Sequence, residues 1–362
     1  MPSLRYKSDL VQKITIIKYL LQQKGGIEKR FQNYLEEFLR RGFIITVLYG
    51  SEKDSYQRLP NVHYIKLNVG LMPFRKWRKV TFARRAEYML EGDDFRDQLK
   101  LSMGRTGKAD IVIAAGNYPE ASKEDITNSS WFKNPMYFLD RTSFENSGLI
   151  LAASNQVKLE LNHLFSITDD RIKVLYPPIK TSDYYQISGE RRNELFRNYS
   201  MNPEKTNFLF ISTGHKRKGL PFLLNIFSSL NSDKYELFVA GNKFESKLPN
   251  VRSLGFIQNT NDLYNIADCL LHPASYEAFG QVVTESLVCG TPVFVSDRVG
   301  AKEIVKNNAG RVLPFNDEQS WIDAIENFDK SIAPEKNELI KELGVTQHID
   351  KMLESWSKYK AK

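Results

Sequence analysis

Short apolar runs, each followed by a stretch of helical periodicity, recur along this chain in two separate series. The first opens with residues 14–21 (ITIIKYLL), a continuous run of the kind shown by a parallel strand buried on both faces. After Gly25-Gly26, apolar residues fall at Ile27, Phe31, Tyr34, Leu35, Phe38 and Leu39, the spacing of a helix with one buried side. Gly42 stands where a left-handed cap would stop that helix. Residues 43–49 (FIITVLY) predict the next strand, so the three pieces form a βαβ unit and require a covered parallel sheet. Residues 110–115 (DIVIAA) and 148–154 (GLILAAS) repeat the strand signature. The second series starts at residues 208–212 (FLFIS), followed by a loop, TGHKRKG, and a helix over 220–230. Residues 235–241, 269–274 and 291–296 predict its further strands.

Two alternating series predict an α/β protein of two Rossmann-like, doubly wound domains facing a cleft. A length of 362 residues also exceeds what one core usually organises. The expected limits are 1–180 and 181–345, with Pro177-Pro178 and the polar stretch 180–190 as linker. A last helix, 346–362, is expected to pack back on the first domain. Composition is that of an ordinary globular protein, 41% hydrophobic and 26% charged. No stretch reaches the ~18 apolar residues of a spanning helix, and the opening residues lack the apolar centre of a secretory signal. Cys269 and Cys289 both lie in apolar surroundings, so a disulfide framework is not expected and a reducing cytoplasm is.

The net charge of +8 is unevenly placed: residues 1–90 carry 18 Lys and Arg against 7 Asp and Glu, and the remainder is net acidic. Such asymmetry points to an anionic partner for the first half, either nucleic acid, an acidic membrane surface or an anionic glycolipid. Residues 73–85 (PFRKWRKVTFARR) concentrate it. There Arg75, Lys76, Arg78 and Lys79 surround Trp77, with Phe74 and Phe82 close by and no acid. Cations among aromatics suit a membrane interface, and equally a solvated helix face.

The densest chemistry lies in residues 272–305, HPASYEAFGQVVTESLVCGTPVFVSDRVGAKEIV. Glu277 and Glu285 are separated by seven residues that include Phe279-Gly280, and a helix is expected to start near Gln281 and stop before Gly290. Gly280 permits close backbone approach to a ligand, and the helix amino terminus is a natural diphosphate site. Glu277 is then placed for sugar hydroxyls and Glu285 for a ribose diol; alternatively Glu277 caps the helix and Glu285 is a surface residue. In TGHKRKG, Arg217 and Lys218 follow the first strand of the second domain and would neutralise a diphosphate leaving group. No D-x-D sequence occurs, and the cysteines and five histidines are too scattered for a zinc site, so no metal is expected.

The 272–305 segment resembles the E-x7-E signature of retaining glycosyltransferases of family 4, which have the GT-B architecture. Leu254-Gly255-Phe256, Ala267-Asp268 and residues 300–305 also resemble the family pattern. The resemblance implies that Glu277 lies beside the donor sugar and Glu285 holds the nucleotide ribose. Phe279, Gly280 and Gln281 would place N–H groups on sugar and phosphate, and Arg217 and Lys218 would steady the leaving diphosphate. It also implies that Gly25 and Gly26 form the first-domain loop that approaches the donor. The adjacent Arg217-Lys218, the run GGIEKRF at 25–31 and FLDRTSFENSG at 138–148 look most like the lipopolysaccharide core glucosyltransferases. Many family members carry a first-domain histidine near the anomeric carbon; the loop here, 115–118, has none, and Asn117 takes the equivalent place. The implied activity is metal-independent, retaining transfer of a hexose, best glucose, from a UDP-sugar. The acceptor would be a glycan or glycolipid such as a lipopolysaccharide core, met in the cytoplasm or at the inner face of its membrane. The nucleotide sugar is then the sole co-substrate, with no cofactor and no nucleic-acid partner. An epimerase of the same architecture and a basic nucleic-acid-binding protein are the competing classes.

Overall fold

The computed structural model describes residues 12–23, 25–70, 74–117, 134–306 and 308–361. Pro73 and Tyr118, which begin and end two of the segments discussed above, lie outside them. The chain divides into two compact units. The first is Met1–Ala152, Leu159–Lys173 and Ile349–Lys362; the second is Ala153–Lys158 and Val174–His348. The boundary thus falls before the expected residue 180. Backbone pairing accounts for it: Ile179 donates its N–H to Leu343 O at 2.8 Å, tying the Pro177-Pro178 stretch into the second unit. The closing residues from Ile349 group with the first.

The strands, in chain order, are β1 (Lys13–Ile17), β2 (Leu20–Leu21), β3 (Ile44–Tyr49), β4 (Ser51–Glu52), β5 (Val62–Lys66), β6 (Leu99–Ser102), β7 (Ile111–Ala114), β8 (Leu149–Ala152) and β9 (Ile172–Val174). Except for the β2–β4 pair, they form one seven-stranded sheet in the order β5-β3-β1-β6-β7-β8-β9. The apolar run 14–21 is therefore two pieces rather than one strand. The main strand ends at Ile17, next to Lys18, and Leu20–Leu21 pairs separately with Ser51–Glu52. Helix Gly26–Arg40 buries Phe31, Tyr34, Leu35 and Phe38, and Gly42 closes it at φ +80°.

The basic segment forms helix Arg75–Leu90. Its cations and rings do not all face outward. Phe82 is fully buried, and Trp77 packs on Val80, Ala83, Met136 and Leu139. Lys79 shares the buried stripe of Ala83, Ala86 and Leu90 at helical spacing. Phe74 and Tyr88 are exposed, with Arg75, Lys76, Arg84 and Arg85.

The second unit contains β10 (Thr206–Ser212), β11 (Tyr235–Gly241), β12 (Val251–Gly255), β13 (Cys269–His272), β14 (Val293–Ser296) and β15 (Gly310–Leu313), paired in the order β12-β11-β10-β13-β14-β15. Alternate residues serve alternate cores. Phe208, Phe210, Leu237, Val239, Leu271 and Phe294 pack on one side, and Leu209, Phe238, Ala240, Leu270, Val293 and Val295 on the other. Cys269 and Cys289 are buried free thiols. In both sheets the strand order reverses beside the first strand, at β1/β6 and at β10/β13. Open parallel sheets bind ligands at that crevice, beyond the carboxyl ends of the strands.

Candidate functional site

The β10/β13 crevice of the second unit gathers the residues singled out in the second half of the sequence. Beyond β10, the expected loop TGHKRKG is instead one helical turn, His215–Lys218, ended by Gly219 at φ +92°. Gly219 is needed twice over, because a Cβ there would stand 2.3 Å from Pro273 O as well as strain the backbone. The turn brings Arg217 and Lys218 to the segment that leaves β13. Arg217 Nη1 donates to Tyr276 O at 2.6 Å and to Glu277 Oε2 at 3.0 Å. Lys218 Nζ donates to the same Glu277 oxygen.

These contacts set the charges. Burial pushes the Glu277 carboxyl up, but Lys218 and Arg217 outweigh it and hold it down at about 2. Burial lowers the Lys218 ammonium below the ordinary lysine value, against the pull of Glu277. Glu277 is therefore a carboxylate, set against the basic side chains of Arg217 and Lys218. Glu277 does not cap the following helix; it is spent on Arg217 and Lys218.

The 277–280 segment is braced from several sides. Glu277 N–H donates to Arg298 O, Gly300 N–H to Glu277 O and Ala301 N–H to Phe279 O. Ser154 Oγ donates to Ala278 O at 2.7 Å, and a Cβ on Gly300 would approach that oxygen to 2.2 Å. The Tyr176 ring stacks on Phe279 at 5.3 Å. Gly280 then turns at φ +105° into helix Gln281–Val288, whose first-turn N–H groups have no partner within the helix. Gly280 is also crowded: a Cβ would meet Val299 Cγ1 at 3.2 Å and His272 Nε2 at 3.6 Å.

Glu285 is not a surface residue. It is 7% exposed and accepts a hydrogen bond from Tyr264 Oη at 2.8 Å. Tyr184 also hydrogen-bonds it, and both phenols are raised by burial and by this carboxylate. Neither tyrosine was evident as a functional residue from sequence, because Tyr264 reads as a core residue of helix Thr260–Ile266 and Tyr184 lies in the polar linker stretch 180–190. His272 was missed too. It is fully buried at the end of β13, and among the described residues neither ring nitrogen has a hydrogen-bond partner. Burial, then the nearby Lys218, lowers it to about 3, so the ring is neutral. Its place one residue before Pro273 gave no periodic or motif signal.

The first-half candidates fall in the first unit. Gly25 caps helix Gly26–Arg40 at φ +128°, and Gly26 is its first residue. A Cβ at Gly25 would overlap Glu28 Oε2, at 2.2 Å. Asn117 is 1% exposed, and its amide donates to Glu160 Oε2 at 2.6 Å. Arg75 and Lys76 are exposed, whereas Trp77, Arg78 and Lys79 are partly covered.

Two parallel sheets, each covered by helices, with a cationic turn and a braced glycine loop at one switch point, are the parts of a GT-B fold. A solved structure of WaaG, a glycosyltransferase involved in lipopolysaccharide biosynthesis, superposes with a TM-score of 0.74 at 18% identity over 96% of this chain and 98% of that one. Anabaena HepE in complex with UDP-glucose gives 0.74 at 15% identity, over 96% and 99%. Residues 191–342 match the family model of glycosyl transferases group 1. A probable transglycosylase of Burkholderia thailandensis is 25% identical over 303 residues, 82% of this chain and 81% of that protein. The lipopolysaccharide glucosyltransferase WaaG of Escherichia coli is 29% identical over 200 residues, 50% of this chain and 53% of its own length.

Proposed function

We propose that the chain is a retaining hexosyltransferase of cell-surface glycan assembly, taking glucose from UDP-glucose without a metal. The observation that carries the reading is the Arg217–Lys218–Glu277 cluster beside the amino terminus of helix Gln281–Val288. Fixed cations and helix N–H groups there supply the positive field a leaving diphosphate needs. Glu285, oriented by Tyr264 and Tyr184, holds the ribose hydroxyls, and Glu277 and the Phe279–Gln281 backbone hold the sugar. The acceptor hydroxyl forms the new bond to the anomeric carbon on the face the diphosphate leaves, and the departing phosphate oxygen takes the hydroxyl proton. Relatives named for lipopolysaccharide and O-antigen work support a glycolipid or glycan acceptor. Asn117 and the first unit serve that acceptor.

A calorimetric panel of UDP-glucose, UDP-galactose, UDP-GlcNAc and GDP-mannose tests the donor. UDP-glucose is expected to bind tightest; a clear preference for GDP-mannose would overturn the choice of base and sugar. Release of UDP that depends on added acceptor separates transfer from epimerisation.

A further inference from the structure

The first sheet has its own switch point, at β1/β6, and that crevice is also basic. Lys18 directly follows β1, and Arg105 follows β6 by three residues, so both leave the carboxyl ends of the adjacent central strands. Helix Arg75–Leu90 adds Lys79 from its buried stripe and Arg75 from its first turn. The Lys79 ammonium lies 5.8 Å from the centre of the Tyr19 ring, one residue past Lys18. Among the described residues two carboxylates answer these four cations. Glu28 faces Lys18 at 3.4 Å, and the fully buried Asp140 pairs with Arg105. Among the described residues Lys79 has neither a hydrogen-bond nor an ion-pair partner, which for a half-covered ammonium is costly. Burial first, then Arg105 and Arg75, with Asp140 opposing and Lys18 adding, lower its pKa.

We propose that this crevice binds a phosphoryl group carried by the acceptor, held by Lys79 and Arg105 with Lys18 and Arg75 around it. The inference deepens the glycosyltransferase reading and rests on it. A phosphate monoester carries close to two negative charges at neutral pH. That matches the two cations left over among the described residues once Glu28 and Asp140 are counted. Arg105 supplies a planar fork and Lys79 a point charge, the two kinds of donor that phosphate sites use. The site also explains the burial of Lys79, which a helix face built only for solvent or lipid would turn outward.

The test is calorimetric titration of inorganic phosphate into the full chain with UDP already saturating, using wild type, Lys79→Gln and Lys79→Arg. Phosphate is expected to bind wild type, at least tenfold more weakly to Lys79→Gln, and near normally to Lys79→Arg. Thermal unfolding checks that each variant is folded. UDP affinity, measured separately, is expected to be unchanged, and so is sedimentation with phosphatidylglycerol vesicles. Equal phosphate affinity in wild type and Lys79→Gln, or no binding to either, overturns the proposal. A parallel loss of UDP affinity would assign the crevice to the donor diphosphate, and a loss confined to vesicles would assign it to lipid; both overturn it. If UDP fails to bind wild type, the donor reading falls instead, while the phosphate titration without UDP still reports on this crevice.

Discussion

Replacing Lys218 by Gln removes an ammonium while keeping a side chain of similar reach. The lysine and its partner Glu277 are 17% and 19% exposed, so the charge acts where water screens it little. Two effects follow, and they separate experimentally. Stripping a buried carboxylate of its only cation costs about 3–5 kcal/mol, but Glu277 keeps Arg217 at 3.0 Å, so the fold should lose less than that. Turnover should lose about 3–4 kcal/mol of leaving-group stabilisation, the value of one oxyanion-hole donor, or roughly 10²–10³ in kcat. Urea unfolding reads the first effect, and UDP release at saturating donor reads the second. Adding Glu277→Gln should recover none of the turnover and no stability, because Arg217 then loses its carboxylate partner. A Lys218→Gln variant with near-normal kcat and a large loss of stability would refute the catalytic role and leave the cation purely structural.

Acid should destabilise the fold through His272, whose pKa of about 3 in the folded chain lies below its ordinary 6.5. The unfolded chain then binds the extra proton, so stability falls as pH drops below 6.5, by up to about 1.4 kcal/mol per pH unit. Glu277, held at about 2, adds to the fall only below its ordinary 4.5. His272→Leu should flatten the urea midpoint between those two values; an unchanged slope there would show that the histidine is not the titrating group. Activity should survive EDTA, because Arg217, Lys218 and helix N–H groups hold the diphosphate; a strict Mn²⁺ or Mg²⁺ requirement would contradict this. Vesicles containing phosphatidylglycerol should retain the protein at low salt, and replacing the exposed Arg75, Lys76, Arg84 and Arg85 by Gln should release it, at ~1 kcal/mol per cation. Equal retention of that variant would show the face to be merely solvated.

The alternation of apolar runs and helical stripes made the long buried strands of both sheets legible, since a buried parallel strand and a one-sided helix each leave a local signature, whereas the short or partly exposed β5, β6, β9, β12 and β15 left none. The Glu277–Glu285 spacing and the adjacent Arg217-Lys218 also stood out, because helix starts and cationic turns are short-range features. What periodicity hid was the partnership among them. Tyr264 looks like an ordinary core tyrosine and Tyr184 like a linker residue until the fold sets them on Glu285. The basic segment misled in another way. Counting charges along 73–85 treats Lys79 like Arg84, whereas the helix turns Lys79 towards Ala83 and Ala86 and leaves Arg84 in solvent. The TGHKRKG loop became a helical turn because Gly219 alone can adopt the left-handed conformation under Pro273.

Calorimetric titration of UDP into wild type and Glu285→Ala tests the donor site most directly. Glu285 sits 7% exposed with Tyr264 Oη at 2.8 Å, so its carboxylate is oriented before any ligand arrives. Hydrogen bonds from ribose hydroxyls to a charged group are worth about 1.5–3 kcal/mol each. UDP is therefore expected to bind wild type and to bind Glu285→Ala at least tenfold more weakly, with thermal unfolding confirming a folded variant. Equal UDP affinity in the two proteins, or none in wild type, would contradict a nucleotide-sugar site built on Glu285.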